Sequence, residues 1–318
     1  MSVQVRRINQ NIGAEISGVD LSQTLSDADF QAIYDAWINY EVIIFRDQDI
    51  TVEQQIAFGR RFGELTIHPF SPNMDEHREV IVLDNHNANP PALTDQWHSD
   101  ETFRAEPPTA TILRAEIVPA IGGDTMFASM TAAYAGLSPR LQHYLSGLTA
   151  IHDFKPFRTL FSGKPEARAR LRKMEDDYPN PSHPVVRRHP VSGRPILNVN
   201  PQFTQRIEGL SAPESELLLN FLYQQATIPE YQLRVQWQPH TIVMWDNRST
   251  QHYAVHDYYP QRRRMLRITV KGEPQQGIAD TMAGIEAIAT LADRKEGFKS
   301  ERGEMVTRES ERSSLRSE

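Results

Sequence analysis

The chain has 318 residues, 39% hydrophobic and 24% charged, the balance of a soluble globular protein with room for one large domain or two smaller ones. It contains no cysteine, which excludes disulfides, thiolate zinc sites, iron–sulfur clusters and a cysteine nucleophile, and its net charge of -7 argues against nucleic acid as a partner. No apolar run nears the roughly 20 residues of a membrane span, and the polar stretch from Met1 to Asn11 lacks the apolar segment of a secretory signal. The expected setting is therefore the cytoplasm, away from membranes, and any metal must be bound by histidine and carboxylate.

In chain order, Ser26 with Asp29 forms a capping-box pattern, and Phe30, Ile33, Tyr34 and Trp37 follow at helical spacing. Val42 to Phe45 reads as a short buried strand. Thr51 with Gln54 opens a second helix running through Ile56 toward Phe62 and ending near Gly63. Strands are expected at Val80–Leu83, Thr109–Arg114, Val185–His189, Ile196–Val199, Val235–Trp237, Ile242–Trp245 and Leu266–Val270. Helices are expected at Thr131–Leu137, at Ser138–Leu148, and after Ser211, Pro213 and Glu214. Many short strands with a few helices suggest an antiparallel sandwich with helices packed outside.

Two segments stand apart. Residues 157–184 are rich in charge, proline and glycine with no strand pattern, and read as a lid or a surface insertion. Beyond Gly272, Ile278, Met282, Ile285, Ile288 and Leu291 keep helical spacing before an almost wholly polar tail. This divides the chain into a domain at 1–273 and an appended helix and disordered tail at 274–318.

The chemistry starts from Trp97-His98-Ser99-Asp100. On an extended segment His98 and Asp100 point to one face, and a remote histidine, His252 in Trp245-Asp246-Asn247-Arg248-Ser249-Thr250-Gln251-His252, would complete a two-histidine, one-carboxylate set. Such a facial triad holds non-haem Fe(II) and leaves the opposite positions open. A bare His-x-Asp is common; its surroundings add weight. Thr102-Phe103, Pro107-Pro108 and Gly122-Gly123-Asp124-Thr125 follow, and Arg263 and Arg267 lie in a strand-like segment after His252. Trp97 and Trp245 read as core packing, His256 as a surface histidine, His152 as a scaffold hydrogen-bonder, and Arg262 and Arg264 as a solvated basic patch.

With these motifs, with Ala128-Ser129-Met130-Thr131, with His183-Pro184-Val185-Val186-Arg187 and with Arg262-Arg263-Arg264-Met265-Leu266-Arg267, the chain resembles the taurine dioxygenase (TauD/TfdA) family of Fe(II)- and 2-oxoglutarate-dependent dioxygenases. The likeness runs from about Ile12 to Gly272. It implies a mostly β fold with flanking helices, a double-stranded β-helix or jelly roll. It also implies His98, Asp100 and His252 as iron ligands, and Arg263 and Thr125 as contacts of the distal carboxylate of 2-oxoglutarate, consistent with the bidentate geometry that arginine offers and lysine does not. The implied reaction consumes O2, releases succinate and CO2, and hydroxylates the substrate.

The resemblance also matches His68 and Arg267 to a pocket for an anionic head group. Ser71, Thr94 and Glu101 depart from the taurine enzyme's pattern, where a tyrosine, an asparagine and a small apolar residue are expected. The expected substrate is a small organic anion: a sulfonate such as taurine, an alkyl sulfate ester, or an aryloxyalkanoate. Hydroxylation beside the heteroatom would give an adduct that collapses to an aldehyde or keto product. A homo-oligomer is expected. The rival readings are a metal-dependent hydrolase using the same triad to activate water, and a jelly-roll binding protein without catalysis.

Overall fold

The computed structural model describes residues 2–278, apart from 70, 92, 155–157 and 159–164. The helix expected from Ile278 to Leu291 therefore lies, past its first residue, outside the described residues, as does the tail.

Seven strands form the larger sheet: β1 (Gln4–Arg7), β2 (Ala14–Ser17), β3 (Val42–Phe45), β4 (Ile81–Asn85), β5 (Ala110–Ile117), β13 (Ile242–Asp246) and β15 (Arg263–Val270). Their order is β1-β2-β3-β13-β5-β15-β4, antiparallel except for the β2–β3 pair. Facing it are β12-β6-β14, from Gln232–Val235, Thr125–Ser129 and Thr250–Ala254, and β11-β7-β8, from Thr204–Ile207, Thr149–His152 and Ser182–Pro184. A short hairpin pairs β9 (Val186–Arg188) with β10 (Pro195–Leu197). The helices are α1 (Asp27–Tyr40), α2 (Val52–Arg60), α3 (Met130–Ala135), α4 (Pro139–Leu145), α5 (Pro165–Asp177) and α6 (Ala212–Tyr223). This is the jelly roll expected from the sequence.

Side-chain alternation divides the buried strands between two cores. On β3 and β13, Ile43, Phe45, Ile242 and Met244 face α1 and α2, joining Ile33, Trp37, Ile56 and Phe58. Their neighbours Val42, Ile44, Val243 and Trp245 face the interior of the roll with Leu113, Phe127, Leu233, Val235 and Met265. The same period on β15 sends Leu266, Ile268 and Val270 to the helices. Met265 goes inward, and Arg263 and Arg267 share its parity. Two cations are thereby carried into the roll.

The caps at Ser26 and Thr51 start α1 and α2 as expected, each accepting the N–H three residues on. Segment 157–184 is not without regular structure: α5 and β8 occupy part of it. After Pro165 the sequence Glu-Ala-Arg-Ala-Arg-Leu-Arg-Lys-Met is made of strong helix formers. Met174 of α5 packs into a cluster with Phe103, Phe154 and Phe203, so the helix roofs the loop that follows Asp100. Ile278 is not in a helix: its N–H donates to Val186 O at 3.3 Å, and the Arg188 N–H donates to Gln276 O at 2.8 Å, strapping residues 276–278 along β9.

Candidate active site

His98 is not on a regular strand. It forms an isolated antiparallel bridge with His252 on β14, the His98 N–H donating to His252 O at 3.1 Å and the His252 N–H to His98 O at 2.8 Å. Asp100 sits in the turn that follows. Asn247 pins that turn: its Oδ1 accepts the Asp100 N–H at 2.6 Å, and its Nδ2 donates to Asp100 O and Pro108 O, each at 3.0 Å. The Ser99 hydroxyl donates to Thr250 O at 2.7 Å, tying the loop again to β14.

The three side chains converge. One ligand atom from each of His98, Asp100 and His252 lies within 4.8 Å of the others, and all three residues are buried. His98 Nδ1 is 2.7 Å from Gln96 O; a carbonyl only accepts, so Nδ1 carries the proton and Nε2 presents its lone pair inward. That Nε2 is 3.8 Å from Asp100 Oδ1, and His252 Nε2 is 3.7 Å from the same oxygen. Asp100 Oδ2 is already taken by the Thr111 hydroxyl at 2.8 Å, which leaves Oδ1 for an ion. Burial lowers both histidines, His252 to about 3, keeping the imidazoles neutral as metal binding requires. Burial alone would raise Asp100, but Arg267, His252 and His98 outweigh it and hold the carboxyl well below its usual range. The donor set fits a divalent iron.

Deeper in the roll, Thr125 and Arg263 come together around Trp237. The Thr125 hydroxyl accepts the indole N–H at 3.0 Å, and the Arg263 guanidinium lies 5.7 Å from the Trp237 ring and 5.8 Å from the Tyr258 ring. Arg263 Nε donates to Gly123 O at 3.1 Å, and burial lowers its pKa to about 10. Gly123, at φ +75°, has no spare room: a Cβ there would lie 3.2 Å from the Arg263 Cδ and from the Tyr258 ring. Among the described residues Arg263 has no carboxylate partner within 4.0 Å. A buried arginine without a counter-ion calls for an anionic ligand.

The expected substrate residues are only partly gathered. Arg267 Nη2 is 3.1 Å from Asp100 Oδ1 and 3.7 Å from Glu101 Oε1, while His68 Nε2 is 3.9 Å from that same Glu101 oxygen. His68, Glu101 and Arg267 thus meet at the triad. Ser71 stands beside them through its N–H, which donates to His68 Nδ1 at 3.0 Å. Burial lowers the His68 pKa to about 4, and Glu101 and Arg267 face it. Thr94 instead bonds His256 Nε2 at 2.9 Å, and its carbonyl accepts the Ala254 N–H at 2.9 Å. His256 is accordingly half-buried rather than a free surface histidine.

Other expectations fare as follows. Trp245 packs 4.8 Å from the His252 ring, and Trp97 packs on Tyr253. His152 Nδ1 lies 3.0 Å from the Thr102 hydroxyl, within the scaffold. Arg262 and Arg264 are not merely solvated: they clamp Asp84, and Arg264 also reaches Glu116 at 2.7 Å. Three contributors were missed in the sequence: Thr111, Trp237 and Arg104. Nothing in the local pattern marks them: Thr111 and Trp237 act through Asp100 and Thr125, 11 and 112 residues away, and Arg104 donates to Glu101, three residues away, across a turn of positive φ.

The model of the taurine catabolism dioxygenase TauD, TfdA family matches residues 4–269. An alkylsulfatase of Acinetobacter baylyi is 38% identical over 280 residues, 86% of this chain and 87% of that protein. An alpha-ketoglutarate-dependent sulfate ester dioxygenase of Pseudomonas putida is 36% identical over 284 residues, 87% of this chain and 92% of that one. Among solved structures, a taurine dioxygenase of Burkholderia xenovorans superposes with a TM-score of 0.75 at 34% identity, covering 87% of this chain and 93% of the other.

Proposed function

The chain belongs to the taurine catabolism dioxygenase TauD, TfdA family of oxidoreductases, and on that premise we propose that it hydroxylates a small organic anion, a sulfate ester or a sulfonate, at the carbon next to the heteroatom. Iron and 2-oxoglutarate supply the oxidising chemistry from O2, with succinate and CO2 as by-products; the hydroxylated substrate collapses to an aldehyde or keto product and the free oxyanion. The observation that carries the reading is the pairing of a buried His98–Asp100–His252 cluster with Arg263, a buried cation that has no carboxylate partner among the described residues. A hydrolase would need the first and has no use for the second.

In this reading His98 Nε2, His252 Nε2 and Asp100 Oδ1 hold the iron. The Thr111 hydroxyl donates to the other oxygen, Oδ2, and would orient the carboxylate. Arg263 and Thr125 receive the distal carboxylate of 2-oxoglutarate, the arginine as a rigid fork and the threonine as a single donor. Arg267, which lies 3.1 Å from Asp100 Oδ1, would face the substrate's head group together with His68. Met174 and the aromatic cluster under α5 exclude water from this side. The sulfate ester is placed first because two relatives are named for sulfate esters.

The remaining assignments are of the same kind. Residues 1–273 form the dioxygenase domain, and 274–318 an appendage whose first residues, to Ile278, strap onto β9. The enzyme works in the cytoplasm as a homo-oligomer, a state that light scattering would read; no helix among the described residues is long and apolar enough to cross a membrane. The test of the function is succinate release with Fe(II), 2-oxoglutarate and O2 across alkyl sulfates, sulfonates and aryloxyalkanoates. Stimulation by a sulfate ester or sulfonate is expected. Turnover of the substrate without oxygen or 2-oxoglutarate would establish the hydrolase, and stimulation by aryloxyalkanoates alone would move the substrate class.

A further inference from the structure

Glu101 is a buried acid in a site read as taking an anion. Its backbone has φ +52°, a conformation that side-chain-bearing residues rarely adopt, and this turns the carboxylate toward the triad. Oε2 is held by Arg104 Nε at 2.5 Å. Oε1 is buried without a hydrogen-bond donor, His68 Nε2 being 3.9 Å away, and Arg267 Nε is buried without an acceptor while its Nη2 is paired with Asp100 Oδ1 at 3.1 Å. The two residues face each other, yet at 3.7 Å between Nη2 and Oε1 they are too far apart to satisfy one another. Buried polar groups left in this state are costly unless a ligand completes them.

A ligand that completes both ends needs acceptor oxygens toward Arg267 and an N–H or O–H toward Glu101. A plain alkyl sulfate or sulfonate meets the first demand and leaves the carboxylate opposed to its own charge. From this juxtaposition we propose that Glu101 is a specificity-determining residue, selecting substrates that carry an ammonium group beside the anionic head. The proposal rests on the reading of Arg267 as the head-group contact. Within it, Arg267 holds the oxyanion, Glu101 holds the ammonium, and Arg104 keeps Glu101 in place from behind. A site built to bond a polar substrate group discriminates strongly against the isostere lacking it, because its own buried group is then left unpaired.

The probes are 2-aminoethyl sulfate and propyl sulfate, which differ by an ammonium in place of a methyl. Their dissociation constants are measured by calorimetry on the full-length protein with Fe(II) and 2-oxoglutarate, without oxygen. The wild type should favour 2-aminoethyl sulfate by on the order of 100-fold. Glu101→Gln, which keeps the shape and an acceptor for Arg104, should bring the ratio to within about fivefold of unity. Glu101→Met, apolar and unbranched at Cβ as the φ of +52° demands, should tighten propyl sulfate, a gain that a merely structural role would not give. Equal binding of the probes by wild type, binding of neither, or an unchanged ratio in Glu101→Gln would each overturn the proposal. Succinate release driven by longer alkyl sulfates reads the proposed function separately, so either can fail alone.

Discussion

Replacing Asn247 by alanine removes the side chain that joins the loop carrying Asp100 to the body of the roll. Its amide closes three buried hydrogen bonds, to Asp100 N, Asp100 O and Pro108 O. At about 1 kcal/mol net for each, the loss comes to about 3 kcal/mol, or a fall in Tm of about 5–10 °C by thermal melting. Asp100 then loses the backbone anchors that aim Oδ1, so the Kd for Fe(II), followed by titration of the metal-free protein, should weaken by about 10- to 100-fold. Asn247→Asp sharpens the test. It keeps an acceptor for the Asp100 N–H but turns the two-bond donor into an anion facing two carbonyls, and should cost at least as much as alanine. An alanine variant with wild-type melting and wild-type iron affinity, or a fully stable Asn247→Asp, would refute the argument.

Other substitutions separate the parts of the site. His98→Ala should abolish iron binding and turnover while circular dichroism stays native; normal turnover would end the metal assignment. Arg263→Lys should raise the KM for 2-oxoglutarate by about 10- to 100-fold, since a lysine offers a point charge where the arginine offers a fork; an unchanged KM would move the cosubstrate elsewhere. Arg267→Ala should cut substrate turnover far more than the substrate-independent decay of 2-oxoglutarate, and equal loss of both would place Arg267 in the cosubstrate site or the scaffold. Glu41 gives a pH test remote from the metal. Burial pushes its carboxyl up to about 7, against the pull of Arg194. An acid whose folded pKa lies above its unfolded value of about 4.3 favours folding below that value, and the benefit is lost as pH rises through about 7. The wild-type Tm should therefore fall over that window relative to Glu41→Gln; parallel curves would refute the assignment.

What could be read in advance follows the range over which each signal acts. Strands β3 and β13 were visible because both faces are apolar, the outer half of β15 because Leu266, Ile268 and Val270 alternate with Arg267 and Thr269, and α1, α2 and α6 because their caps sit within three residues of the helix start. Strands β6 and β14 were missed. Their inner faces carry Thr125 and His252, and the polar residues that make the site also erase the apolar alternation that marks a strand. The His98–Asp100–His252 cluster was legible because its residue types are scarce and a family pattern joins them. Glu101 and Thr94 could not be placed in the same way. Only the fold shows that Glu101 faces Arg267 while Thr94 turns to His256. Thr111 carried no local mark at all, although it fixes which oxygen of Asp100 is free.

The backbone bridge between His98 and His252 has a thermodynamic consequence. About 150 residues separate the two in the chain, and closing a loop of that length costs on the order of 4 kcal/mol in chain entropy. The reciprocal main-chain bonds and the sheet around them offset that cost without drawing on an ion. The apoprotein is then a preorganised chelator rather than a chain waiting for its metal, unlike small zinc domains whose ion drives their folding. Stripping and restoring iron should then leave the fold intact, and the affinity should reflect the ligands' geometry without a discount for the entropy of gathering them.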